Sequence, residues 1–170
     1  MHDHSLSITI GGRLPRSALA ALFAAVEADD LGFEWGDAAS RGDSPEELAD
    51  GIEDGEPLKL VSDSVGEAGL SELEATCRSL RLHYVVYTEA DDGQPASLAW
   101  WEPAMRERAC ADALEEDTPA VALAVVRRAI SGDDPARSIE SVKQLLDGLT
   151  PIEVPPLVLV DDTGAASDPG

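Results

Sequence analysis

Cationic side chains are scarce in this sequence. Lys59 and Lys143 are the only lysines, and with ten arginines they stand against 34 Asp and Glu, a formal net charge of -22 on 170 residues. Neutralising phosphates takes clustered Lys and Arg, so direct binding to nucleic acid or anionic lipid is excluded as an expectation; Arg127-Arg128 is the one tight basic pair, with Arg106 and Arg108 as a looser one. Cysteine is nearly absent as well. Cys77 and Cys110 are too few for a disulfide framework and read as reduced thiols, Cys77 on the apolar face of a helix.

Aromatics make up 4% of the chain, so its core must be built from aliphatic residues and Ala. No apolar run approaches about 18 residues, which excludes a membrane-spanning helix. The start, Met1-His2-Asp3-His4, lacks the basic opening and apolar middle of a secretory signal, and cytoplasmic residence is the expectation. Three histidines, two of them at the N-terminus, leave little for metal or triad chemistry. No Gly-x-Ser-x-Gly elbow occurs, and His83 reads as structural. Gly11-Gly12-Arg13-Leu14-Pro15-Arg16 lacks the Walker lysine and the three-glycine fingerprint, so it reads as a turn. The chain is expected to carry no cofactor, no metal and no catalytic residue.

What remains is apolar content and pattern. At 44% apolar the chain collapses into a core. Residues 5–10 alternate as a half-buried strand that Gly11-Gly12 closes, and Leu19, Leu22, Phe23 and Val26 stripe a helix. Residues 33–35 suit a short strand and 36–43 a loop. Ser44-Pro45-Glu46-Glu47 and Ser71-Glu72-Leu73-Glu74 both have capping-box form, the second opening a helix that buries Leu73, Cys77 and Leu80. Leu58 to Val61 and the pair 83–89 and 97–102 read as strands, the latter two as a hairpin. Adjacent Trp100 and Trp101 then point to opposite sheet faces.

The expected fold is α+β: an antiparallel or mixed sheet of about five strands, a ferredoxin-like split β-α-β leading, with helices on one face and a C-terminal helical extension. Residues 1–103 form the sheet domain on this reading. Residues 104–160 form the extension, with helices over 104–115, from Thr118-Pro119 to Gly132, and from Asp134-Pro135 to Gly148, followed by an extended segment. Pro155-Pro156 confines that segment to a sheet edge or a docked irregular run. Residues 161–170 read as a flexible tail.

The charge is unevenly placed. Residues 27–74 hold 16 acids against Arg41 and Lys59, a local net of -14. Like charges at helical spacing cost a few tenths of a kcal/mol per pair, so either a basic partner or a high-salt setting should offset them. The favoured reading is a non-enzymatic acidic factor that occupies a basic protein surface. Inhibition of a nucleic-acid-handling protein by nucleic-acid mimicry, of the anti-restriction or anti-CRISPR type, illustrates the class. Its contact residues are Glu27, Asp30, Glu34, Trp35, Asp37, Asp43, Glu46, Glu47, Asp50, Glu53 and Asp54. The alternative is a small-ligand or catalytic domain with a salt-adapted surface and a pocket between the sheet and the C-terminal helices. A third reading is an oligomerisation module using the Pro155-Pro156 edge.

Overall fold

The computed structural model describes residues 5–35, 38–40, 42–52, 55–62, 70–90, 94–116, 118–131 and 134–162. The fold is α+β. The chain opens with β1 (Leu6–Pro15), passes a 3-10 turn at Arg16–Ala18 into α1 (Leu19–Ala28), and returns through β2 (Gly32–Trp35) and β3 (Ala38–Ser40). Then come α2 (Pro45–Asp50), β4 (Leu58–Ser62), α3 (Ser71–Ser79), β5 (His83–Thr88) and β6 (Ser97–Trp101). The last third contributes β7 (Ala109–Glu115), β8 (Thr118–Ala120), α4 (Leu123–Ile130), α5 (Pro135–Leu149) and β9 (Leu157–Val160).

One antiparallel path of eight strands runs β3-β2-β4-β1-β5-β6-β7-β8, and β9 lies parallel to the end of β1. The sheet is thus larger than the five strands expected. Its centre is built from two interleaved split β-α-β units. β1 and β2 flank β4, each antiparallel to it, with α1 as their connection; β4 and β5 flank β1 in the same way, joined by α3. This connectivity sends both crossover helices to the sheet rather than to solvent. Leu22, Ala25 and Val26 of α1, Leu48 of α2, and Leu73 and Cys77 of α3 share one core with Leu6, Ile8, Ile10, Leu60, Tyr84 and Val86 of the strands. Each fully buried Leu or Ile there contributes about 1.5–3 kcal/mol of transfer free energy.

The alternation of the strands separates the two faces. Trp101 enters the helix-side core and stacks on Tyr84, with ring centroids 6.1 Å apart and planes at 23°, whereas Trp100 packs on the far side with Ala96, Leu98 and Ala113. The adjacent tryptophans therefore serve opposite faces, as the strand period requires.

Four local expectations are corrected. Residues 109–115 form β7 rather than part of a helix over 104–115. Ala and Glu are good helix formers, but propensity is a weak determinant against tertiary context, and the open edge of β6 supplies a ladder that buries Ala113 against the far-face cluster. Thr118-Pro119 lies in β8 and not at a helix start, so the helical part begins at Leu123. Ala38–Ser40 pairs with β2 instead of looping. Gly11-Gly12 does not end the first strand but bends it. Gly12 has φ +119, and a Cβ on Gly11 would lie 1.7 Å from the Pro155 oxygen, so only glycine lets the 155–157 backbone close onto β1. There the Gly12 N–H donates to Pro156 O at 3.1 Å, and the edge segment carrying Pro155-Pro156 docks on its own chain.

Candidate functional site

The acidic stretch is carried by the β3 edge of the sheet and the helices beside it. Ser44 caps α2: its Oγ accepts from the Glu47 N–H at 3.2 Å, Pro45 takes the first helical position, and the Glu47 carboxylate accepts from the Asp43 N–H. Leu48 fixes this short helix to the core. A shallow cleft lined by Val26, Glu27, Phe33, Gly42 and Leu48 brings the end of α1 against the start of α2. Glu27, Asp30, Asp43, Glu46, Glu47 and Asp50 are all exposed on this side. Glu34 and Trp35 belong to β2; Asp37, Glu53 and Asp54 lie outside the described residues, as do His2, Asp3 and His4.

Not all of these carboxylates are available. Glu47 closes the cap. Asp29 accepts from the Leu73 N–H at 2.7 Å and so caps α3 from the end of α1. The Ser71-Glu74 box expected there does not form: Leu70 is the N-cap residue and has no side-chain cap bond. Glu27, Glu46 and Asp50, by contrast, meet no cation among the described residues. The described ion pairs lie elsewhere, in Arg16–Asp161, Lys59–Glu116, Arg78–Glu74, Arg108–Glu74 and Arg137–Asp134. Lys59 on β4 is turned to the far face of the sheet, where it lines a groove with Glu116.

That groove is a second candidate. Ser7, Thr9, Val85, Tyr87 and Leu98 form its floor, and Pro151, Ile152 and Val154, from the segment that follows α5, form its wall; the cavity measures about 750 Å³. The size suits a small molecule. At one end Ser7 Oγ donates to Glu116 Oε1 at 2.7 Å, and Lys59 Nζ lies 2.9 Å from the same oxygen. Burial pushes the Glu116 carboxyl up, but the bonds from Lys59 and Ser7 outweigh it and hold the pKa below the usual value. Glu56 and Glu153 stand on the rim, so the groove is acidic overall.

Sequence reasoning missed this groove. Its signal was present in His83–Thr88, where Val85 and Tyr87 are as apolar as Tyr84 and Val86; a strand apolar on both faces has two surfaces to cover. The pocket does lie between the sheet and the C-terminal region, but its wall is the extended segment rather than helices.

A third cluster is structural. Glu74, 7% exposed, has Oε2 accepting from the Tyr84 hydroxyl and from Arg78 Nη2, both at 3.0 Å, and Oε1 accepting from Arg108 Nη1 at 2.6 Å. Its carboxylate is fully engaged by these three donors, while the two arginines remain partly exposed. Among the described residues no group of three or more His, Cys, Asp or Glu is placed to hold a metal ion, and no helix is long and apolar enough to cross a membrane. In comparison with known proteins, no family model, no curated protein and no solved structure matches the chain.

Proposed function

We propose that this protein is a non-enzymatic binding factor whose acidic side, carried by α1, the β2–β3 edge and α2, occupies a basic surface of another protein. One observation carries the reading: Glu27 at the end of α1 and Glu46 and Asp50 on α2, which packs against α1, are exposed and meet no cation among the described residues. Concentrated charge of one sign steers an oppositely charged partner and fixes its orientation. A basic surface that handles nucleic acid is the partner class such carboxylates fit, since they stand where it expects phosphates; cytoplasmic residence accords with that class. The framework β2-β4-β1-β5 with α1 and α3 is read here as ferredoxin-like and serves to hold the acidic edge rigid.

The experiment is capture of partners from the native cell at low and high salt by the wild type and by the triple variant Glu27→Lys, Glu46→Lys, Asp50→Lys. Basic partners that bind at low salt, leave at high salt and are lost to the triple variant support the reading. Partners that bind the variant equally well oppose it.

The groove supports a second reading, a ligand-binding domain. Its apolar floor and the carboxylates of Glu56, Glu116 and Glu153, set against Lys59 alone, fit an apolar molecule with a cationic group. Trp100 packs in the same cluster as Val85, Tyr87 and Leu98 and serves as the reporter. A long-chain alkylammonium probe should change its fluorescence saturably, and Val85→Lys should abolish the change. An alkyl sulfate acting as well as the ammonium would remove this reading.

A further inference from the structure

The helical hairpin of α4 and α5 differs from the rest of the molecule. The two helices pack on each other, yet no residue of either is buried. Seven large apolar side chains are exposed among the described residues, and five of them are here: Leu123 at 62%, Val125 at 45%, Ile130 at 54%, Ile139 at 69% and Leu146 at 55%. Leu123 and Ile130 on α4, and Ile139 and Leu146 on α5, are each seven residues apart, and the partly buried Val126, Val142 and Leu149 continue the same stripes at spacings of three and four. That is the seam of a helical bundle, and a two-helix hairpin can cover only part of it.

Charge identifies what covers the rest. Residues 121–150 contain Arg127, Arg128, Arg137 and Lys143 against Asp133, Asp134, Glu140 and Asp147, a net of zero, so the whole -22 resides outside this segment. A cationic partner gains nothing from a neutral surface. Two copies of this chain repel each other almost everywhere, and the hairpin is where they meet without that cost.

We infer that the hairpin is a self-association element: two copies pack α4–α5 against α4–α5 about a two-fold axis as an antiparallel four-helix bundle. The 15-residue α5 is about 22 Å long and the 8-residue α4 about 12 Å, each about 10 Å wide, so each copy offers roughly 340 Å². Both faces together fall below the roughly 1,000 Å² of a stable interface, so the dimer is expected to be weak and transient, in the upper micromolar range. Charge repulsion between the bodies gives it an unusual salt dependence. Added salt screens the repulsion and strengthens the dimer, the opposite of its effect on a basic partner held by the acidic side.

The test is sedimentation equilibrium of the full chain from about 1 to about 200 µM at low and high salt, beside the variant Ile139→Glu, Leu146→Glu. Both positions are exposed, so the monomer fold is retained, and circular dichroism checks it. The wild type should rise from 17.9 kDa toward twice that mass, more readily at high salt, while the variant stays monomeric. A wild type monomeric throughout overturns the inference. So does a dimer that the double variant leaves intact, or one that salt weakens. Binding of the monomer to phosphatidylglycerol vesicles without dimerisation assigns the face to a membrane and also overturns it. None of these outcomes alters the test of the acidic side, whose variants lie on other elements.

Discussion

Glu74 on α3 and Arg108, in the turn between β6 and β7, meet with Oε1 and Nη1 2.6 Å apart. Arg78 and Tyr84 hold the other carboxylate oxygen, so one buried acid ties a crossover helix to β5 and to the far half of the sheet. Charge-assisted hydrogen bonds contribute about 1.5–3 kcal/mol each, and deleting a buried carboxylate leaves two guanidinium groups without their anion. Both arginines are partly solvated, which moderates the loss. Glu74→Ala should lower the unfolding free energy by about 2–4 kcal/mol and Arg108→Ala by about 1–2 kcal/mol, as read by urea denaturation. Losses below about 0.5 kcal/mol for both would show the cluster to be incidental.

Alkaline pH should unfold the protein through two buried groups. Burial, with Glu74 nearby, pushes the Cys77 thiol up from 9.0 to about 12; burial also pushes the Tyr84 hydroxyl up from 10.0 to about 12 against the hydrogen bond from Arg78. Both pKa values are raised in the folded state, so their contribution is complete below the unfolded values and falls as pH climbs toward the folded ones. Stability should therefore decline from pH 9 for Cys77 and from pH 10 for Tyr84, by up to about 1.4 kcal/mol per pH unit per group. Thermal melts between pH 7 and 12 measure it, and Cys77→Ala or Tyr84→Phe should flatten the slope even where the midpoint is lower.

The thiols should differ in reactivity. Cys77 is buried and its thiolate is disfavoured, whereas Cys110 is exposed on β7. An aromatic disulfide reagent should titrate one thiol at once and the second only on adding denaturant. Cys110→Ser should abolish the fast phase; a fast phase that survives it would place Cys77 at the surface.

Gly11→Ala tests the docking of the C-terminal segment. The new Cβ would meet the Pro155 carbonyl oxygen, which is backbone and cannot swing aside. A loss of about 2 kcal/mol or more is expected, some 4–8 °C in the melting midpoint, together with faster exchange of the Leu157 amide that bonds to Glu56 O. An unchanged midpoint would mean that the segment does not close on β1.

Much of the first hundred residues was legible. Ser44 and Pro45 open α2 because cap chemistry is local, and Trp100 and Trp101 divide between faces because the strand period is fixed by geometry. The misreadings arose where a distant residue decided. Asp29 caps α3 from 44 residues away, so a local Ser71 signal was misleading. Ala109–Glu115 has helical composition, but the edge of β6 makes it a strand. Gly11-Gly12 carries a local strand-end signal, but β1 runs on to Pro15 with the Pro155 carbonyl packed over Gly11. Of the candidate site, the exposure of Glu46 and Asp50 could be anticipated from their place on α2; that Glu47 and Asp29 act as caps, and that the groove exists, depended on tertiary placement.

The most direct measurement compares two variants of equal charge in the same capture experiment. One carries Glu27→Lys, Glu46→Lys and Asp50→Lys; the other carries Glu107→Lys, Asp112→Lys and Glu115→Lys, also exposed but on the opposite half of the sheet. If the acidic side is the contact surface, the first variant loses its basic, salt-released partners by tenfold or more while the second retains them. Equal loss from both would mean that the charge acts only as a total, and would contradict the assignment of the function to that side.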